Sequence, residues 1–397
     1  MKILFAHFTT HWVNTSGGIE KVTCDFANEM CKRGHEVTIL YIDSVEGKPY
    51  FTLGKDIITH NILFNNGKKI ISEKLPVTIR AYREITRVFS QKKAQEVNAR
   101  YKGKLYGVQI ENYLKRNEFD VVVSCSEQSA KYLLTDAHCD LPVIEMTHIN
   151  PILEFPRLSN LEKEAISRCK ILQILVPSGM AVAKQYFPNL PIVVIGNVVM
   201  SAVKLANPSL SKNKYIISCV GNLSSRKNQM FLVKVFEKIA PKYKNWRLEI
   251  WGDYNNHFGK KLKEYIKLKK IDNVVMMKGK TTHIEDVYAQ SDIYAFPSLS
   301  EGWGMSVTEA MAAGLPVVGL KSCAGVSDLV QHNKTGFLTE NTQADFLNAL
   351  TTLMDNPILR EKMGKAGMAS IKKFSPQIIW DKWEGILCQV AKGNLKV

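Results

Sequence analysis

The chain lacks any long apolar run. No stretch approaches the roughly 18–20 consecutive apolar residues that a membrane-spanning helix needs. The opening Met1-Lys2-Ile3-Leu4-Phe5-Ala6-His7-Phe8 is too short for a signal peptide and has no small-residue cleavage site, so it reads as a buried first strand. The eight cysteines are scattered and form no C-x-x-C pair, which argues against a structural zinc site or a disulfide framework. Reduced thiols and a cytoplasmic location are the expectation. The dinucleotide fingerprint G-x-G-x-x-G and the hydrolase elbow G-x-S-x-G are both missing. No D-x-D follows an apolar strand, so no metal site is expected. Acid is also in short supply, with 53 Lys and Arg against 37 Asp and Glu, a net charge of +16. The imbalance concentrates between Gly67 and Arg116, where thirteen Lys/Arg face four Glu. Ile79, Tyr82, Ile85, Val88 and Phe89 recur there at helical spacing. A basic amphipathic helix suits an anionic membrane surface or an anionic ligand such as a polyprenyl pyrophosphate; a solvated face is the plain alternative. No RNA- or DNA-binding motif accompanies the charge, so nucleic acid is not an expected partner.

What is present is alternation. At 397 residues and 45% hydrophobic, the chain is long enough for two domains. Strand candidates in the first half are Lys2–Phe8, Val37–Ile42, Val121–Ser124, Val143–Met146, Leu172–Val176 and Ile192–Ile195. Helices are expected over Gly18–Arg33 and Gly179–Tyr186. A polar stretch at Asn197–Asn213 reads as a linker. A second series follows, with strands at Tyr215–Val220, Arg247–Trp251, Val274–Met277, Ile293–Phe296 and Val317–Gly319. Its helices are expected at Gln229–Ala240, Phe258–Lys270, His283–Gln290 and Val307–Ala313. Alternating strand and helix predicts parallel sheets. The expected division is a first domain over 1–197 with the basic insert 67–116, a second over 198–375, and a C-terminal segment 376–397. That last segment carries Ile379, Trp380, Trp383, Ile386 and Leu387 at helical spacing.

The most informative segment is Ser300-Glu301-Gly302-Trp303-Gly304-Met305-Ser306-Val307-Thr308-Glu309-Ala310-Met311-Ala312-Ala313-Gly314-Leu315-Pro316. It reads as a glycine loop after a strand, then a helix opening near Val307 with Glu309 in its first turn. Gly314 and Pro316 stop that helix. Backbone N–H groups at a helix N-terminus hold phosphate well, and carboxylates accept sugar or ribose hydroxyls.

Glu301 and Glu309, with seven residues between them, resemble the E-x7-E motif of the retaining GT-B glycosyltransferases of the GT4-like (group 1) family. The resemblance implies two doubly wound Rossmann-like domains facing each other across a cleft. It implies that Glu301 binds the donor sugar, with Gly302, Trp303, Gly304, Met305 and Ser306 around it, and that Glu309 binds the ribose. Gly221-Asn222-Leu223-Ser224-Ser225-Arg226-Lys227-Asn228 is similar to the family's G-R-L-x-x-x-K-N segment, whose Arg and Lys clamp the nucleotide pyrophosphate; here Asn222 replaces the first Arg. A fork-shaped Arg beside a point-charge Lys suits a diphosphate leaving group. Gly17-Gly18 opens the first helix, where the family has a similar glycine pair near the donor phosphates. The preceding loop, Thr9 to Ser16, would line the acceptor side. His148 ends a strand where the family often has a His, able to donate a hydrogen bond or to hold charge near the leaving group. Ser178 reads as a helix N-cap at the cleft, and Asn197 sits at the domain crossing. Lys280 is a nucleobase-site candidate through its main chain. The C-terminal helix usually crosses back to the first domain in this family.

The expected activity is transfer of a sugar from a nucleotide diphosphate donor, UDP-sugar or less commonly GDP-sugar, to a hydroxyl of a glycan or polyprenyl-linked acceptor in surface polysaccharide synthesis. The anomeric configuration would be kept, and no cofactor or metal would be required. The protein would be cytoplasmic, with peripheral contact at the inner membrane face. A sugar-nucleotide-modifying enzyme of the 2-epimerase type and a non-catalytic nucleotide-sugar-binding scaffold are the alternatives.

Overall fold

The computed structural model describes residues 1–8, 11–72 and 74–395. Thr9 and Thr10 of the expected acceptor-side loop, and Glu73 of the basic insert, lie outside the described residues.

The first half builds a seven-stranded parallel sheet. Counted in chain order, its strands Lys2–His7, Glu36–Tyr41, Ile58–Asn61, Val121–Ser124, Val143–Met146, Ile171–Ile174 and Ile192–Val194 lie side by side as 3-2-1-4-5-6-7. Lys2 pairs with Glu36 on one side, and Ile3 with Val121 on the other. The inner strands are apolar because helices cover both faces of a parallel sheet. Ile58–Asn61 escaped sequence reading because Ile-Thr-His-Asn is an edge strand with two exposed residues and no apolar run. The second half repeats the plan with six parallel strands, Tyr215–Val220, Trp246–Trp251, Val275–Gly279, Ile293–Phe296, Val317–Leu320 and Gly336–Thr339, in the order 3-2-1-4-5-6. Both sheets reverse direction beside their first strand, so each has its ligand crevice at the carboxyl ends of its central strands.

The helix Pro376–Ala391 packs on the first domain. Ile379, Trp380, Trp383, Leu387 and Val390 are buried with Phe5 and Phe26. The Phe26 ring lies 4.7 Å from Trp383 and 5.2 Å from Trp380. Burying each of these indoles adds about 2–3 kcal/mol of apolar transfer free energy. Arg33 pins the same helix through Asp381 at 2.8 Å and Glu384 at 2.6 Å.

The basic insert is a helical hairpin, Val77–Phe89 and Gln91–Arg116, turned at Ser90. The second helix buries Tyr106 and Ile110 in the first-domain core. The first helix buries nothing, and Tyr82, Ile85, Val88 and Phe89 stand exposed. Its apolar spacing is not used by the fold.

Candidate active site

Three strands of the second sheet end in glycines with positive φ: Gly221 at 151°, Gly252 at 141° and Gly279 at 81°. A Cβ at Gly252 would stand 2.2 Å from the Gly221 carbonyl oxygen, so side chains are excluded where these strand ends meet. Gln229 fixes the following loop, donating to the Gly221 carbonyl at 3.3 Å and accepting from the Ser224 N–H at 3.3 Å. That loop carries Arg226 and Lys227.

Glu301 is where the loops converge. It is buried, and its Oε1 receives the Ser298 hydroxyl at 2.5 Å, Lys227 Nζ at 2.8 Å and Arg226 Nη1 at 3.1 Å. Arg226 also donates to the Ser300 carbonyl at 2.6 Å, while Lys227 sits 4.7 Å above the Phe296 ring. The two cations are therefore held at fixed positions by one carboxylate. A diphosphate entering the cleft would compete with that carboxylate for both.

The helix after the loop runs Met305–Ala312, two residues earlier than the sequence suggests. Glu309 thus lies in its second turn, not its first. The reason is that Gly304 serves as the cap, tied through its N–H to the Gly325 carbonyl at 3.0 Å. Glu309 Oε2 accepts the Tyr288 hydroxyl at 2.9 Å. Burial, with the Glu309 charge beside it, raises the Tyr288 phenol well above its usual range, so it stays a donor. Lys21 of the first domain reaches Glu309 Oε1 at 3.5 Å. Neither Tyr288 nor Lys21 carries a motif signal; only the fold brings them to Glu309.

The first domain supplies the opposite wall. Gly18 lines the cleft with His148. Gly17 is covered instead: its Cβ would fall 2.0 Å from a carboxylate oxygen of Glu20, which folds back over the helix start and lies 3.5 Å from His7. His148 Nε2 is buried without a hydrogen-bond partner. Burial, then the neighbouring His7, lowers the His148 pKa to about 4 against the opposing pull of Glu20. The ring is neutral near pH 7, so of its two expected abilities it keeps hydrogen bonding and loses charge.

The walls touch. A Cβ at Gly302 would meet the His148 carbonyl oxygen at 2.4 Å. Ser178 does not cap a helix; Pro177–Gly179 forms a short 3-10 turn, and the following helix is preceded by Gly179. The Ser178 hydroxyl and N–H instead donate to Asp328 across the domain boundary, at 2.5 and 3.2 Å. Trp303 lines the cleft, but most of its ring is buried against Gly196 and Phe374, whose centroid is 4.8 Å away. The resulting cavity of about 380 Å³ gathers Gly18, His148, Gly221, Arg226, Lys227, Glu301, Gly302, Trp303, Met305, Ser306 and Glu309. Gly17, Gly304 and Lys280 are not in its lining; Lys280 pairs with Asp253 at 2.9 Å. Among the described residues, one group could share a cation, His283, Glu285 and Asp286, but it is outside this cavity and Lys204 already pairs with Asp286.

Solved structures match this architecture from end to end. Sucrose-phosphate synthase from Thermosynechococcus elongatus superposes with a TM-score of 0.77 at 14% identity, covering 99% of both chains. Anabaena HepE in complex with UDP and glucose gives a TM-score of 0.70 at 18% identity, covering 98% of this chain and 100% of that one. These establish the fold. Residues 203–369 match the family described as glycosyl transferases group 1. The chain is a glycosyltransferase of the GT-B fold, and the group 1 match lies in its second half. A protein of Haemophilus influenzae described as an uncharacterized glycosyltransferase is 28% identical to this transferase over 382 residues, 94% of this chain and 97% of that protein. The capsular polysaccharide biosynthesis glycosyltransferase CapM of Staphylococcus aureus is 29% identical over 184 residues, 45% of this transferase and 47% of CapM.

Proposed function

We propose that this glycosyltransferase moves a sugar from a UDP-sugar to a hydroxyl of a glycan or polyprenyl-linked acceptor in surface polysaccharide synthesis, with retention of anomeric configuration. The observation that carries the proposal is the convergence of Arg226 and Lys227 on Glu301, one helical segment from Glu309, against a first-domain wall of Gly18 and His148. UDP as donor is supported by the HepE complexes with UDP, with UDP and glucose, and with UDP-glucose.

In this mechanism Arg226 and Lys227 take the charge that grows on the departing diphosphate, and Glu301 and Glu309 orient sugar and ribose through their hydroxyls. Neutral His148 donates a hydrogen bond beside the reacting carbon. The mechanism uses no covalent intermediate on a side chain. The acceptor attacks from the face the diphosphate leaves, and the leaving phosphate oxygen takes the hydroxyl proton. Arg226 and Lys227 offset part of the diphosphate charge, and the mechanism calls on no metal. The exposed apolar stripe of the basic hairpin supports peripheral contact with an anionic membrane.

A thermal-shift panel of UDP, GDP and ADP with their sugar conjugates tests the donor, because a ligand of the native state raises its melting point by mass action. A shift with UDP and a further shift with one UDP-sugar is the expected result. A shift with GDP alone moves the donor assignment, and no shift with any nucleotide contradicts the proposal. The configuration of the product's anomeric proton by NMR tests retention.

A further inference from the structure

The loop that carries Glu301 meets the first domain at three points. Gly302 lies against the His148 carbonyl and Gly196 against the Trp303 ring, where a Cβ would stand 2.4 and 2.5 Å from its neighbour. Gly18 lies against Met305, with 3.5 Å between a Cβ and the sulfur. The first domain therefore cups the loop, and it can reach a sugar held at Glu301 only with the side chains between those points. Five first-domain residues line the cavity: Gly18, Ile19, His148, Leu175 and Asn197. None of them is charged near pH 7, since burial holds the His148 pKa at about 4. Lys21 of the same domain is outside the lining and pairs with Glu309.

Asn197 is the carboxamide in this wall. It follows Gly196, is only 8% exposed, and its side chain is hydrogen-bonded to no other described residue. A carboxamide offers two N–H donors and a carbonyl acceptor, and leaving such groups unmatched in a buried place is costly. Asn197 lines the cavity, so a ligand held there is able to match both ends. Leu175, at 3% exposure, and Ile19 add apolar surface to the same wall.

This wall discriminates among the substituents that nucleotide sugars carry. A uronate carboxylate would meet Glu301 and an uncharged surface, because Arg226 and Lys227 serve the diphosphate and Glu301. A charge buried without a partner is strongly disfavoured. A sugar hydroxyl engages one end of a carboxamide. An acetamido group engages both: its carbonyl accepts from the Asn197 amide N–H, its own N–H donates to the Asn197 carbonyl, and its methyl group packs on apolar surface such as Leu175.

We propose that Asn197 is a specificity-determining residue that pairs with the acetamido group of an uncharged N-acetylhexosamine on the donor. This rests on the transferase reading and names its donor class.

The test is calorimetric titration of the full-length protein with UDP, UDP-glucose, UDP-N-acetylglucosamine, UDP-N-acetylgalactosamine and UDP-glucuronic acid, which requires no acceptor. One of the two acetamido donors binds the wild type about tenfold more tightly than UDP-glucose, the discrimination that a matched pair of hydrogen bonds supplies. UDP-glucuronic acid binds no more tightly than UDP. Asn197→Ala abolishes the difference between the acetamido donor and UDP-glucose, while UDP itself binds as before. Asn197→Asp keeps the shape and loses the N–H donors, so it abolishes the difference without opening a hole. Equal weakening of UDP-glucose and the acetamido donor in both variants makes Asn197 a structural residue and overturns the assignment. So does a wild-type preference for UDP-glucose or UDP-glucuronic acid, and that result leaves the transferase reading standing. If no UDP compound binds, the transferase reading falls and the donor class falls with it.

Discussion

Lys21 Nζ lies 3.5 Å from Glu309 Oε1, joining the first helix of one domain to the cleft helix of the other. The pair is partly exposed, so its own worth is about 1 kcal/mol or less. Its position matters more than its strength, because Glu309 is the carboxylate proposed for the ribose. Lys21→Met and Glu309→Gln should therefore be non-additive in donor KM, by on the order of 0.5–1 kcal/mol in a double-mutant cycle. Strictly additive effects would show that the two side chains act independently.

Tyr288 holds the other oxygen of Glu309 at 2.9 Å. Tyr288→Phe removes one hydrogen bond to a charged group and leaves the ring packing intact. Donor KM should rise about tenfold or more, matching the roughly 1.5–3 kcal/mol of a bond to a charged group, with kcat within about twofold. Steady-state kinetics over donor concentration separates the two; a fall in kcat alone would contradict a positioning role.

Gly302 has no room for a methyl group, since a Cβ would sit 2.4 Å from the His148 carbonyl oxygen. That oxygen belongs to the other domain, so Gly302→Ala pushes the walls apart instead of distorting one core. Transfer rate should fall about 10²-fold, as displacement of reacting groups by about 1 Å does. The melting temperature should change little. A large loss of melting temperature with normal turnover would place the strain in the fold and not in the cleft.

His148 has a folded-state pKa of about 4, below the ordinary histidine value, because its site is dry and His7 is close. Between pH 6.5 and about 4 the unfolded chain binds a proton at this position that the folded chain resists. Stability therefore falls as pH drops through that window and is insensitive to this group above it. Urea unfolding at pH 5 and pH 7 should show a smaller pH difference for His148→Asn than for wild type. The wild-type pH–rate profile should have no limb near pH 6.5 from this residue.

Much of the fold was legible because its signals are local. Val121–Ser124, Val143–Met146, Tyr215–Val220 and Ile293–Phe296 are buried, apolar and bounded by turns, and the sequence places all four with their observed ends. Ile58–Asn61 and Gly336–Thr339 were not legible as strands, since the first is polar and the second has only Phe337 and Leu338 as apolar residues, directly after a turn. At the site, Glu301, Arg226 and Lys227 stand out as charged residues in glycine-bounded loops, and Glu309 by its spacing from Glu301. Their mutual ion pairs do not, and neither do Lys21, Tyr288 or the Ser178–Asp328 bond. Those contacts depend on how two domains close, which no local pattern encodes. Trp303 reads as a sugar contact from its loop, yet most of its ring is packed into the seam with Gly196 and Phe374.

The central claim is that Arg226 and Lys227 stabilise a departing diphosphate. The most direct measurement is the single-turnover transfer rate of Lys227→Ala, and of Arg226→Ala, at saturating UDP-sugar. The account predicts a fall of about 10²–10³ in each, the effect of removing one preorganised donor from a developing charge. A rate equal to wild type in either variant would contradict it.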